Sequence, residues 1–329
     1  MSPIAPYVTA FLRDRLLKEK NASQHTCDTY AFGLKLLFEY ASSRFRVAPS
    51  SLTIEQLDAP LVLDFLSHIE DQRGNCPSTR NARLAAIKSF MRFLGYRVPA
   101  CLEQVHSVLA IPTKRTDQKL VGFLRMPEVE ALLNAPSPGT WAGVRDRAMI
   151  HLCFSAGLRA TELVTLPLTA VALHAEPAVH IMGKGRRERC LPLWKQVAQD
   201  LRAWVKRRGV VSASELFVNA RGGPMTRAGF EYILSKHVQA AASKCPSLCG
   251  RSITPHVLRH SCAMTILQAT GDIRKVSLWL GHADMKTTQM YLRADPSEKL
   301  DTIDSIIPPS LRRGRFHVPD KLIALLTGR

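Results

Sequence analysis

No stretch of the 329 residues approaches the ~18 consecutive apolar residues that a membrane-spanning helix needs. The opening MSPIAPYVTAFLRDR has no secretory-leader layout, so a cytoplasmic location is expected. The turn Gly183-Lys184-Gly185 lacks the spacing of a phosphate-binding P-loop, and no nucleotide site is read there. Internal repeats, low-complexity tracts and carboxylate clusters are also missing. The 8 cysteines are scattered through a chain large enough to fold without disulfides, which favours reduced thiols. Drawing Cys245 and Cys249 with His256 and His260 as a zinc site fails on irregular spacing. The expectation is therefore no metal and no cofactor. Acid is in short supply: 27 Asp and Glu face 45 Lys and Arg, a formal net charge of +18. Such an excess points to an anionic polymer as partner. It is uneven, with +3 on residues 1–112 and +15 on residues 113–329.

The length favours two domains. In the first, apolar residues recur at helical spacing over 11–17, over a helix starting near Ser23 or Thr26 (Tyr30, Leu34, Leu37, Phe38, Ala41), and over 59–69 (Leu61, Phe65, Leu66, Ile69). A fourth helix, capped by Ser78, carries Leu84, Ile87, Phe90, Met91 and Leu94 on one side. Its other side shows Arg80, Arg83, Lys88 and Arg92, a face suited to duplex phosphates. Pro112 breaks the pattern, and 113–119 reads as a basic linker. Helices follow over 126–134 and 140–156. Residues 178–193 read as two strands around the glycine turn. Two further helices cover 194–208 and 227–242, the second capped by Thr226.

The segment Thr254 to Leu292 carries the most chemistry. Thr254 fits a helix N-cap and Pro255 the first helical position. His256 and Arg259 then share one face at the positive end of a helix, where N–H groups, dipole and arginine suit a phosphate. A second helix carries Ile273, Val276, Trp279 and Leu280 and stops at Gly281. His282 follows at once, and Tyr291 comes nine residues later. Upstream, Gly157-Leu158-Arg159-Ala160-Thr161-Glu162 sets Arg159 one helical step from Glu162. Each of these residues alone has an ordinary structural reading; together, at this spacing, they make a site. His260 is read as a structural hydrogen-bonder.

His-x-x-Arg, Leu-Gly-His and the tyrosine resemble the second homology box of the tyrosine recombinases, the phage-integrase family, Xer-like members included. The Arg159 turn resembles the first box. The resemblance implies a mainly α fold with a small β-hairpin or sheet (α+β): a helical core-binding, SAM-like domain over 1–112, the linker 113–119, a catalytic domain over 120–307, and a tail over 308–329 with a short helix. The catalytic set that it implies is Arg159, Lys184, His256, Arg259, His282 and Tyr291. Tyr291 is then the nucleophile that forms a 3′-phosphotyrosyl link. His256 accepts its proton, and Lys184 protonates the departing 5′-oxygen. Arg159, Arg259 and His282 hold the non-bridging oxygens, while Arg186, Arg187 and Arg189 help hold the nearby DNA backbone. Neither ATP nor metal is needed. The implied partner is double-stranded DNA, with a homo-tetramer on paired sites, a dimer per site. Within this chemistry the expectation is a mobile-element recombinase. The chain beyond Tyr291 argues against a compact Xer-type chromosome-dimer resolvase, a type IB topoisomerase is less favoured, and a non-catalytic DNA-binding regulator is the rival from another class.

Overall fold

The computed structural model describes residues 2–117, 122–183, 187–282 and 284–294, without the side chains of Lys286 and Arg293. Two compact units divide the chain, Met1–Gln118 and Lys119–Arg329.

The first unit is helical. Helix α1 (Ala5–Ala10) widens into a π-helical run, Phe11–Glu19, where the sequence pattern gave an ordinary helix. Then come α2 (Gln24–Phe45), α3 (Ala59–Asp71), α4 (Pro77–Arg97) and α5 (Leu102–Ala110). Ser23 caps α2 by accepting from Thr26 N, and Asp58 caps α3 by accepting from Leu61 N at 2.8 Å. The expected apolar faces meet in one core, where Phe11 sits edge-on to Phe90 with ring centroids 5.3 Å apart.

The expected cap of α4 needs correction, and its basic side is narrower than the sequence suggests. Pro77 takes the first helical position and Ser78 the second, so Cys76, not Ser78, is the N-cap residue, and its thiol lies 3.1 Å from Ser78 Oγ. On the basic side Arg92 is exposed, whereas the other three cations are engaged within the unit. Arg80 is 5% exposed and donates to Pro112 O at 3.1 Å. Lys88 Nζ donates to Leu109 O and Ile111 O, at the C-terminal end of α5. Carbonyls there have no intrahelical partner, and a cation satisfies them. Arg83 lies over the Phe32 ring at 4.8 Å. Lys114, read as linker, is fastened to this unit: its backbone pairs with the Asn81 amide, and its Nζ lies 2.8 Å from Glu70.

In the second unit α6 (Met126–Leu133) leads to α7 (Trp141–Ser155), capped by Thr140 accepting from Gly143 N. Helix α7 is buried almost all round, as a central helix must be. Its charged residues are paired: Asp146 with Arg145 and His237, and His151 with Asp200. A short α8 (Ala160–Val164) follows a turn at Gly157. The sheet is antiparallel in the order β1 (Val171–Ala172), β2 (Ala178–Met182), β3 (Glu188–Pro192). Val179 pairs with Leu191 and Ile181 with Arg189. Strand alternation therefore puts Arg189 on the inward face with Leu191. Helices α9 (Lys195–Arg208) and α10 (Arg227–Ala242) pack around α7. Arg208, at the basic end of α9, is buried and donates to the carbonyls of Ala213 and Glu215. Last come α11 (Pro255–Thr270), α12 (Ile273–Leu280) and α13 (Gln289–Ala294). Among the described residues no helix is long and apolar enough to cross a membrane.

Candidate active site

The site gathers three chain breaks. The first is the turn between α7 and α8. Gly157 has φ +57°, and a Cβ there would lie 2.5 Å from Leu280 Cδ2, so only glycine fits. Arg159 stands at the N-cap of α8, where Glu162 reaches back to its backbone N–H at 3.0 Å and to its Nη1 at 2.7 Å. The Arg159 side chain is 28% exposed, which leaves its outer edge open to a ligand.

The second is the start of α11. Thr254 is the N-cap residue by backbone geometry, with Pro255 at the first helical position, but its side chain makes no capping bond. His256 is exposed in that turn. Desolvation first, then the charges of Arg227, Arg259 and Arg159, hold its imidazole below the usual value. Arg259, one turn on, is 4% exposed. Its guanidinium donates to the carbonyl of Gly157 and to Leu280 O, the latter at 2.8 Å. It thus ties the first break to the third. Burial, followed by the nearby Arg159, pulls its pKa to about 10, where it remains a cation at neutral pH.

The third is the turn after α12, where Gly281 adopts φ +65° and ends the helix. His282 Nδ1 lies 2.8 Å from Thr288 Oγ1. A threonine hydroxyl donating to Nδ1 leaves the proton on Nε2, which can then donate. Burial, then Arg259 and Arg159, lower His282 to about 4, so the ring is neutral. Tyr291, on α13, is 1% exposed. Its ring lies parallel to His282, with centroids 6.4 Å apart at 8°. Its hydroxyl meets His260 Nδ1 at 3.0 Å. Burial raises Tyr291 to about 12, against a smaller lowering by Arg259.

Arg159, His256, Arg259, His282 and Tyr291 therefore come together, each within electrostatic reach of Arg259. Lys184 and Arg186 lie outside the described residues. Arg187 is exposed. Arg189 is not on the surface: its side chain is 8% exposed and paired with Glu162. Among the described residues no group of three or more His, Cys, Asp or Glu could hold a metal ion.

Residues 122–298 match the phage integrase family, and residues 8–97 match the phage integrase N-terminal SAM-like domain. A putative integrase/recombinase of Sinorhizobium fredii, y4rC, is 39% identical over 98% of this chain and 97% of its own length.

The chain belongs to the phage integrase family.

Tyrosine recombinase XerC of Pelobacter propionicus is 30% identical to this integrase-family chain over 94% of it and 97% of the relative. A solved XerH site-specific recombinase bound to palindromic difH substrate shares the fold with TM-score 0.66 at 23% identity, covering 91% of this chain and 84% of that one. So does the Tn1549 transposon integrase in complex with transposon right end DNA, with TM-score 0.66 at 15% identity, covering 91% and 99%. The mainly helical, two-domain architecture with a three-stranded antiparallel sheet is that of the tyrosine recombinases. Two features of this integrase-family site escaped sequence reasoning. From sequence His260 is a structural hydrogen-bonder, but its partner, the Tyr291 hydroxyl 31 residues away, is a contact that no local spacing encodes. Arg189 turns inward, which the alternation with Leu191 along β3 already signalled.

Proposed function

We propose that this chain cuts and rejoins double-stranded DNA through a 3′-phosphotyrosyl intermediate, as the recombinase of a mobile element. The observation that carries the reading is the packing of Tyr291 against His282, within the field of Arg159 and Arg259. A phenol among guanidiniums and neutral imidazoles is suited to attack a phosphodiester. The mobile-element assignment draws on the 39% identical relative named an integrase/recombinase, against 30% for the one named XerC.

In the proposed step the Tyr291 oxygen bonds to phosphorus and the bond from phosphorus to the 5′-oxygen breaks. Negative charge grows on the non-bridging oxygens. Arg159, open on one edge, and Arg259, with donors left after its two carbonyl bonds, stabilise that charge. His282 adds a donor from Nε2. His256, exposed and neutral, takes the phenolic proton, and Lys184 gives a proton to the leaving 5′-oxygen. A 5′-hydroxyl of another strand then reverses the step. Tyr291 at 1% exposure cannot touch a duplex, so cleavage requires the Gln289–Ala294 helix to shift outward. The catalytic domain is assigned to 120–307 and its partner domain to 1–112, working as a homo-tetramer on paired sites. The solved structure of lambda integrase as a tetramer on a Holliday junction supports that assembly as the arrangement to test.

The test is incubation with a library of randomised-sequence duplexes nicked at the centre, followed by denaturation. The expected product is a protein–DNA adduct that forms without ATP and in the presence of EDTA. Adducts that need Mg²⁺ or ATP contradict the reading, as does retention of DNA with no adduct at all, the behaviour of a DNA-binding regulator.

A further inference from the structure

One buried carboxylate faces three arginines. Glu162 Oε1 accepts from Arg159 Nη1 at 2.7 Å and from Arg189 Nη1 at 3.4 Å. Its Oε2 accepts from Arg189 Nη2 at 2.8 Å and lies 4.0 Å from Arg259 Nη1. Glu162 and Arg189 are 6% and 8% exposed, so water does little to screen this set. Burial pushes the Glu162 carboxyl up, but the bond and charge of Arg189, and then the bonds from Arg159, outweigh it and hold the group ionised.

Arg189 stands outside the six residues read as catalytic. It also backs the turn that presents His282. A Cβ on Gly281 would lie 3.1 Å from Arg189 Cδ, and one on Gly183 would lie 3.2 Å from Arg189 Nη1. The two glycines leave room for its guanidinium.

A buried carboxylate balanced only by Arg159 and Arg259 would draw both toward itself and neutralise part of the charge that they offer a phosphate. We propose that Arg189 is a positioning residue for strand cleavage: by binding both oxygens of Glu162, it keeps Arg159 and Arg259 oriented toward the scissile phosphate and charged against it. The proposal rests on the phosphotyrosyl reading above.

The experiment measures the initial rate of covalent adduct formation on the same nicked-duplex library, with non-covalent DNA retention and thermal melting followed in parallel. Arg189→Met should slow adduct formation roughly ten- to hundred-fold, the range expected for one lost charge-assisted bond, with retention near the wild-type level. Arg189→Lys, which keeps the charge, should recover part of that loss. The deciding variant is Arg189→Met combined with Glu162→Gln. If Arg189 acts through the Glu162 charge, removing that charge relieves the defect, and the double variant is faster than Arg189→Met alone. A double variant as slow as the product of the two single effects overturns the proposal, as does an Arg189→Met protein that reacts at the wild-type rate. Should Arg189→Met fail to fold, Arg189→Lys and the double variant, in which both buried charges are absent, carry the same comparison. Failure of the wild type to form any adduct sinks the phosphotyrosyl reading itself. A wild type that reacts while Arg189→Met reacts equally well removes only the role of Arg189.

Discussion

The Tyr291 hydroxyl and His260 Nδ1 lie 3.0 Å apart, within hydrogen-bond distance. Burial holds the phenol up at about 12 and the imidazole down at about 4, so the proton stays on the tyrosine. The contact holds the hydroxyl turned inward, and it satisfies a polar group that would otherwise be buried without a partner.

Acid should therefore destabilise the fold in a defined window. His260 and His282 lie at about 4 in the folded chain, against the ordinary 6.5. Between those values the unfolded chain binds protons that the folded chain does not, so stability falls as pH falls. The contribution of the neutral rings is complete above the ordinary value and is lost progressively toward the folded one. Urea midpoints at roughly pH 7.5 and roughly pH 5 should differ in that direction, and His260→Asn should narrow the difference. An unchanged difference in the variant contradicts the assignment of His260.

The two arginines of the site should separate in their effects. Arg259 holds the carbonyls of Gly157 and Leu280 in the interior, whereas Arg159 has an open edge and shares Glu162 with Arg189. Arg259→Ala should cost about 1–3 kcal/mol for each buried carbonyl left without a donor, read by urea unfolding. Arg159→Ala should stay close to the wild type in stability and still lose adduct formation. Equal stability losses would show that Arg259 is not the tie between the two turns.

Gly157→Ala probes the same tie from its other end. The left-handed backbone costs a residue with a Cβ about 1–2 kcal/mol, and the new carbon would meet Leu280 Cδ2 at 2.5 Å and Cys262 Sγ at 3.2 Å. Overpacking adds about 1–3 kcal/mol. The variant should melt well below the wild type and form adduct slowly. A melting temperature equal to that of the wild type would mean that the turn relaxes without strain.

The spacing of His256, Arg259, His282 and Tyr291 in the sequence, with the glycine-led turn before Arg159, located the chain breaks that the structure gathers. Those breaks are local: a proline at a helix start, glycines past helix ends. The apolar periods of α2, α3 and α4 were legible for the same reason. What stayed hidden was pairing over distance. Lys88 and Arg80 looked like a solvent-facing basic stripe, because nothing in α4 itself shows that the α5 end and the following segment offer them carbonyls. Arg189 stood in a run of arginines, and charge count alone sent it outward. Strand alternation, weighted above composition, would have sent it in.

Lys184, which lies outside the described residues, is the proposed general acid. Lys184→Ala should cleave ordinary DNA slowly, by about a hundred-fold or more for a lost proton donor. A substrate with sulfur at the bridging 5′ position has a leaving group that needs no proton and should restore the rate. If sulfur gives no rescue, Lys184 does not protonate the leaving oxygen.

The most direct measurement is the site of attachment. Adduct formed on the duplex library is digested with nuclease and protease and sequenced by mass spectrometry, alongside a Tyr291→Phe control. The expected result is a nucleotide joined through its 3′-phosphate to Tyr291, with no adduct in the control although DNA is still bound. A nucleotide on the exposed Tyr232 or on any other residue, a 5′-linkage, or an adduct that survives Tyr291→Phe would contradict it.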